Sequence, residues 1–235
     1  MVNKSSDYQY ITNSVQAETL ALVPQGTERI LDIGGGTGDY VAAAKSVSTA
    51  EFGAVVDISP EAVAARRAEV DVSEVCDIER PGELERFIET HGPFDLILCC
   101  DVLEHLVDPW RVVARLHAVM PEGGYILASI PNVQNYRVAI RALTGTWGYR
   151  DSGLFDRTHL RYFSRRSAIA MMGGSGLSVA QTGCTYGPAA RDRLAGRLSL
   201  GVLNPWVSMQ NLVLVQKRQD IVRDPGAFGE AIEQS

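Results

Sequence analysis

At 235 residues the chain is long enough to bury one α/β core and too short for two of ordinary size. Apolar residues make up 46% and charged residues 21%, the proportions of a globular protein, and no apolar run approaches the ~20 residues of a spanning helix. A net charge of −6 argues against general attraction to nucleic acid or to an anionic membrane surface. The first residues lack a signal-peptide core, and the four cysteines show no Cys-x-x-Cys spacing, so a reducing, cytoplasmic setting is expected.

Along the chain, Ile11, Val15, Thr19 and Leu22 recur at helical spacing before Pro24, which predicts a helix over 11–22, preceded by Tyr8 and Tyr10. An apolar run at 30–33 then breaks into Gly34, Gly35, Gly36 and Gly38, and a Gly- and Pro-free segment follows at 41–47. Strand, glycine turn and helix make the opening unit of a nucleotide-binding α/β domain. A dinucleotide fingerprint would need its third glycine where Asp39 stands, which disfavours an NAD-dependent oxidoreductase. The pattern that fits is Asp32-x-Gly34-x-Gly36-x-Gly38.

A second strand is expected over 52–57, followed by a helix capped by Ser59 with Pro60 in its first position. Asp57 ends that strand 19 residues past Gly38, where a carboxylate accepts from both ribose hydroxyls of an adenosine ligand. A capping aspartate is the plainer alternative. A third strand over 70–76 ends in Asp77 and Ile78, and a helix over 81–90 presents Leu84, Phe87 and Ile88. Residues 94–100 read as a fully buried strand with Cys99 and Cys100 as small hydrophobes. Asp101 and Glu104 have the spacing of an N-cap and its reciprocal partner. Asp108 and Pro109 open a helix with Val112, Val113, Leu116, Val119 and Met120 on its apolar face, and a fifth strand over 125–130 ends in Pro131 and Asn132.

Residues 133–143 suit an amphipathic helix (Val133, Tyr136, Ile140, Leu143), and 144–160 form a long irregular run too aromatic for a disordered linker. It follows the carboxyl edge of the sheet, where α/β proteins bind ligands, so 133–163 is read as a lid over the acceptor. Between 137 and 166, seven arginines (137, 141, 150, 157, 161, 165 and 166) face two aspartates (151 and 156). Arginine's planar fork suits phosphate or carboxylate, and surface pairing with the acidic remainder is the alternative. Residues 177–185 and 210–217 supply closing strands of an antiparallel edge, and 219–235 a polar, loosely ordered tail.

The Asp32-to-Gly38 pattern resembles the cofactor loop of class I S-adenosylmethionine-dependent methyltransferases, and Asp101-Val102-Leu103-Glu104-His105-Leu106 resembles a signature of the small-molecule type. Residues 156–164 resemble a segment of bacterial methyltransferases from sugar and natural-product pathways, so the resemblance covers roughly residues 28–180. It implies a three-layer α/β sandwich around a mostly parallel, Rossmann-like seven-stranded sheet, with one methyltransferase domain over 1–218. The cofactor would be S-adenosyl-L-methionine, held by Tyr10, Asp32, Gly34, Gly35, Gly36, Gly38, Asp57, Ile58, Asp77, Ile78, Cys100, Asp101 and Val102. Asp77 would face the adenine amino group and Ile78 the ring.

The expected acceptor is a small molecule, first a hydroxyl of a sugar or sugar-containing intermediate that bears an anionic group. An amine, a phenol, a quinone precursor or a non-catalytic cofactor-binding role are the alternatives. Asn132, Trp147, Tyr149, Arg150, Phe155, Arg157 and Arg161 are the candidate acceptor contacts. His159 is the first candidate for general base, its imidazole held by Asp156; His105 is the second, and a lid histidine bonded to backbone is the plain alternative. No metal is expected from ligand spacing, a nucleic-acid base is disfavoured as acceptor by Cys99-Cys100-Asp101-Val102 after the fourth strand, and a homodimer stays open.

Overall fold

The apolar run before the glycines is the central strand β1 (Arg29–Ile33), buried from Ile30 onward. Its side chains alternate between two cores, Leu31 and Ile33 on one face and Ile30 on the other. The computed structural model describes residues 15–174 and 176–218, so Tyr8, Tyr10 and the 219–235 tail lie outside the described residues. β2 (Phe52–Asp57) and β4 (Leu96–Cys100) flank β1 in parallel, with Ile30 opposite both Gly53 and Leu96. β3 (Val72–Val75) and β5 (Tyr125–Pro131) extend the sheet outward, also in parallel. β7 (Ser208–Lys217) lies antiparallel between β5 and β6 (Leu177–Tyr186), which gives the order 3-2-1-4-5-7-6. All five residues of β4 are buried, as a parallel strand covered on both faces requires.

The short α1 (Ala17–Leu20) is the described part of the helix expected over 11–22, and Leu22 and Val23 after it join Tyr40, Val41 and Ala44 of α2 (Asp39–Val47) on one face of the sheet. α3 (Pro60–Ala64) follows β2, capped by Ser59, whose hydroxyl accepts from the Ala62 N–H. The opposite face is covered by α4 (Glu83–His91), α5 (Pro109–Val119) and α7 (Arg165–Gly173), which bury Leu84, Phe87, Val113, Leu116 and Met172. Asp108 and Ser164 cap α5 and α7 through the amides of Arg111 and Ser167.

Two expectations need correction. α6 (Tyr136–Leu143) starts later than predicted and buries Val138, whereas Ile140 and Leu143 are exposed. The helix rests on Leu154 and Phe155 of the following loop, in a small core that meets the sheet at Met209 of β7. Between β6 and β7 the chain also forms α8 (Ala190–Leu198) and α9 (Asn204–Val207), which the sequence pattern did not indicate. The α6 arginine Arg137 pairs with the buried Asp192 of α8 at 2.5 Å, which ties the two insertions together.

On the far side of the sheet Arg115 of α5 is a latch. Its guanidinium donates to both oxygens of Glu85 on α4 (2.5 and 2.6 Å) and to the carbonyls of Ile78 and Arg80 (2.7 and 3.1 Å). The fork holds the Glu85 carboxyl down, from 4.5 to about 2. A carboxylate depressed by folding contributes stability that is fully present above its unfolded pKa and is lost as pH falls through the folded one. Arg115→Met is therefore expected to lower stability at pH 7 by about 1 kcal/mol in urea unfolding, because the pair is partly exposed. The difference from the parent should shrink between pH 4.5 and 2. A gap that stays constant over that window would show that Arg115 acts through its carbonyl bonds and packing alone.

Candidate functional site

β1 lies between β2 and β4, so the connections from neighbouring strands leave in opposite directions and open a crevice at the carboxyl ends. A cavity of about 760 Å³ occupies it. Because β7 runs antiparallel to β5, its first residues, Met209 and Gln210, reach the same edge as Pro131, and so do Thr185 and Tyr186 at the end of β6.

The glycine turn is shaped by the carboxylate beneath it. Asp32 is 1% exposed, its Oδ2 has no hydrogen-bond partner, and burial, then Asp57, push its pKa well up. A Cβ on Gly35 would stand 2.5 Å from that carboxyl, so only glycine allows the loop to lie on it. Gly34, Gly35 and Gly36 line the cavity; Gly38 does not. Gly38 instead turns the chain into α2 at φ +87°, where a Cβ would stand 2.2 Å from Val70. Its expected cofactor contact is thus corrected to a backbone role.

Asp57 accepts from the Gly36 N–H (2.9 Å, Oδ2) and the Ser59 N–H (2.8 Å, Oδ1), which leaves each oxygen a further lone pair toward the cavity. Ile58, Asp77, Ile78, Cys100, Asp101 and Val102 line the same cavity. The amide of Asp77 donates to Glu83, which fixes the turn after β3.

After β4 the predicted capping pair does not form. Asp101 has φ 56° and sends its carboxylate across the sheet edge to the Gln210 side-chain amide, which is held in turn by the Ser129 hydroxyl. Burial pushes the Asp101 carboxyl up to about 7. Leu103–His105 is a 3-10 turn without a side-chain cap. Glu104 is 1% exposed, both its carboxylate oxygens lack hydrogen-bond partners, and burial, then Asp101, raise its pKa. Its backbone carbonyl accepts from Leu160 (2.8 Å) and Arg161 (3.0 Å), so the turn after β4 anchors the end of the lid.

That anchor brings together the two candidate histidines, which stand 54 positions apart. The rings of His105 and His159 meet edge to face at 4.8 Å, and each Nε2 faces Glu104 Oε1, at 4.0 and 3.9 Å. Asp156 does not hold His159: its Oδ1 accepts from the Thr158 amide (2.8 Å) and hydroxyl (2.6 Å), because the chain turns tightly there. Burial, then His105, lower the His159 pKa to about 4, which makes it a weaker base than an unperturbed imidazole. His105 is also lowered by burial.

Of the expected acceptor contacts, only Arg157 lines this cavity, beside Leu154, Thr158 and His159. Arg150 and Phe155 line a second cavity of about 340 Å³ with Arg137 and Arg141. Trp147 packs edge to face on Phe155 at 5.1 Å, and Tyr149 is exposed. Arg161 bonds the carbonyls of Leu160 and Val107. Asn132 is fully buried and donates to Pro205 O (2.8 Å) and to Ser208. Asn132, Trp147, Tyr149 and Arg161 therefore stand outside this cavity, whereas the second cavity, with Arg150 and Phe155, shares Ser152, Gly153, Leu154 and Met209 with the first. Tyr186, Met209 and Gln210 line the cavity unforeseen, because only the antiparallel placement of β7 brings them there.

A family described as a methyltransferase domain matches residues 9–182. A ubiquinone biosynthesis O-methyltransferase from Thiobacillus denitrificans is 25% identical over 172 residues, 72% of this chain and 72% of that protein. One of the same name from Azotobacter vinelandii is 33% identical over 111 residues, 46% of this chain and 47% of that protein. Among solved structures, an S-adenosylmethionine-dependent methyltransferase from Mesorhizobium loti has the same fold, with a TM-score of 0.56 and 18% identity over 85% of this chain and 95% of that one. The glycine cradle over Asp32, the acidic ends of β2 and β3 and the family match lead to one conclusion: the chain belongs to the methyltransferase-domain family and is an S-adenosylmethionine-dependent methyltransferase.

Proposed function

We propose that the acceptor is a phenolic hydroxyl on a small apolar metabolite, of the kind a quinone precursor carries, and not the sugar hydroxyl first expected. The observation that carries this reading is the shared name of the relatives, ubiquinone biosynthesis O-methyltransferase. The lining of the cavity supports it. Its β2–β3 side is polar, whereas the β5–β6 side presents Pro131, Leu154, Tyr186, Pro188 and Met209, a surface suited to a flat ring. A volume of about 760 Å³ lies in the upper part of the range for single-ligand pockets, so cofactor and a small acceptor fit together.

S-adenosylmethionine supplies the methyl group, its sulfur keeps the electron pair of the broken S–C bond as the acceptor oxygen forms the new O–C bond, and the hydroxyl proton passes to His105, His159 or water in the cavity. The chain's own work is alignment. We assign the ribose hydroxyls to Asp57, the adenine to Asp77 and Ile78, and the cationic amino group to the Asp32 carboxyl, whose Oδ2 has no partner. Arg157 pairs with Asp151 at 3.4 Å in an exposed, loose contact and is assigned to an anionic substituent of the acceptor. Holding the two reacting atoms ~3–3.5 Å apart supplies several kcal/mol toward the barrier.

Labelled S-adenosylmethionine offered with a panel of phenols, sugars and amines tests the acceptor class: label should pass to an ortho-substituted phenol bearing a carboxylate. Transfer to a sugar alone would return the first expectation. Asp57→Ala should weaken S-adenosylmethionine and S-adenosylhomocysteine alike, by about 10- to 100-fold, since both carry the same ribose. Unchanged calorimetric affinity in a folded variant would remove Asp57 from the site. For Arg157→Met the acceptor KM should rise about 10-fold with cofactor affinity kept; an equal loss for both ligands would show a distorted lid instead.

A further inference from the structure

The second cavity, of about 340 Å³, collects three arginines and no acidic residue in its walls: Arg137 and Arg141, one turn apart on α6, and Arg150 from the loop beyond. Apolar wall is supplied by Ile140, Phe155 and Met209. Asp192 of α8 pairs with Arg137 at 2.5 Å. The guanidinium groups of Arg141 and Arg150 have neither a carboxylate nor a hydrogen-bond acceptor as partner among the described residues. Like charges on one helix face and around one cavity repel, so the cluster favours an anion that the chain itself does not supply.

Both groups are held ready for one. Arg141 lies over the Phe155 ring at 4.4 Å, and that ring is buried and packs edge to face on Trp147. Stacking fixes the plane of the guanidinium while its in-plane N–H donors stay available. The Arg150 backbone is pinned on both sides: its N–H donates to the Phe155 carbonyl (2.8 Å), and its carbonyl accepts from the Arg157 N–H (2.9 Å). Two such forks suit the paired oxygens of a carboxylate or a phosphate.

An anion there can belong to a ligand of the first cavity, because the two cavities share Ser152, Gly153, Leu154 and Met209. Gly153 has φ +79°, and a Cβ on it would meet nothing within 4 Å, so the junction is unobstructed on that side. Arg157 lines the first cavity alone, so the substituent assigned to it is a different group. We infer that the second cavity is a distal subsite of the acceptor site and takes a carboxylate or phosphate at the end of an apolar stem. The stem lies on Leu154 and Met209 at the junction, and Arg141 and Arg150 hold the oxyanion. That the stem belongs to the methyl acceptor rests on the phenolic-acceptor reading, whereas binding of an amphipathic anion does not.

The test is calorimetric titration of the full-length protein with hexyl phosphate, hexanoate, hexanol and inorganic phosphate. At least one of the two amphipathic anions should bind about 10-fold or more tightly than hexanol and inorganic phosphate, and the tighter of the two identifies the oxyanion. Arg141→Gln and Arg150→Gln should each weaken it by about 10-fold with the circular dichroism of the parent, whereas Arg157→Met should keep its affinity within about threefold. Should Arg141→Gln unfold, Arg150→Gln decides alone, since that side chain is exposed and carries no bond of the fold. Absence of saturable binding by either anion overturns the inference, as does hexanol binding equally well or affinity kept within about threefold in folded Arg150→Gln. A loss in Arg157→Met as large as that in Arg150→Gln would place the anion in the first cavity and overturn it too. Arg150-dependent binding of hexyl phosphate to a protein that methylates no phenol would sink the acceptor reading alone.

Discussion

The carboxylate of Asp32 is the constraint on which the cofactor half of the site depends. It stands on the central strand, almost fully buried, with one oxygen lacking a partner. A carboxylate in that position is costly while nothing cationic meets it. The same group excludes any side chain from Gly35, so the turn must run directly over it. Burial and the proposed recognition are thus one arrangement, since the assigned ammonium group would meet this carboxyl through a loop free of side chains at Gly35. Asp57 then fixes the far lip of that turn by accepting from Gly36.

A second, independent constraint organises the acceptor half. The backbone carbonyl of Glu104 takes both Leu160 and Arg161 amides, and the adjacent Asp101 leaves ordinary backbone space at φ 56° to reach Gln210. The turn after β4 therefore touches the lid on one side and β7 on the other. A residue in the left-handed region costs of order 1 kcal/mol and persists only where its surroundings hold it. Here the Gln210 amide and the Ser129 carbonyl do so.

What could be read in advance follows from where the information is local. The glycine turn between β1 and α2, the helix starts at Ser59 and Asp108, and the buried run of β4 are set by neighbours within a few residues, and those expectations match the structure. The lid fails the same treatment because its partners are distant. Asn132 looks exposed at a strand end, yet its amide is taken by the β7 side of the sheet, 73 to 76 positions on. Ile140 and Leu143 make an apolar stripe, yet both stay exposed, since the helix packs through Val138 on Leu154, Phe155 and the one β7 residue Met209. The meeting of Glu104, His105 and His159 is likewise invisible to spacing rules, which look for partners on one turn or one helix face.

The arrangement also explains why the two halves of the cavity differ in kind. The residues assigned to the cofactor lie at strand ends of the parallel sheet, whose positions are fixed by ladders on both sides. The rest of the cavity is lined by the 151–159 stretch of the loop and by residues at the ends of β6 and β7, next to insertions that pack on each other through Arg137 and Asp192. The insertions stand next to Leu154, Arg157 and Tyr186 and away from the ladder that holds Asp57. The histidine cluster sits at the seam, with Glu104 and His105 contributed by the sheet side and His159 by the lid.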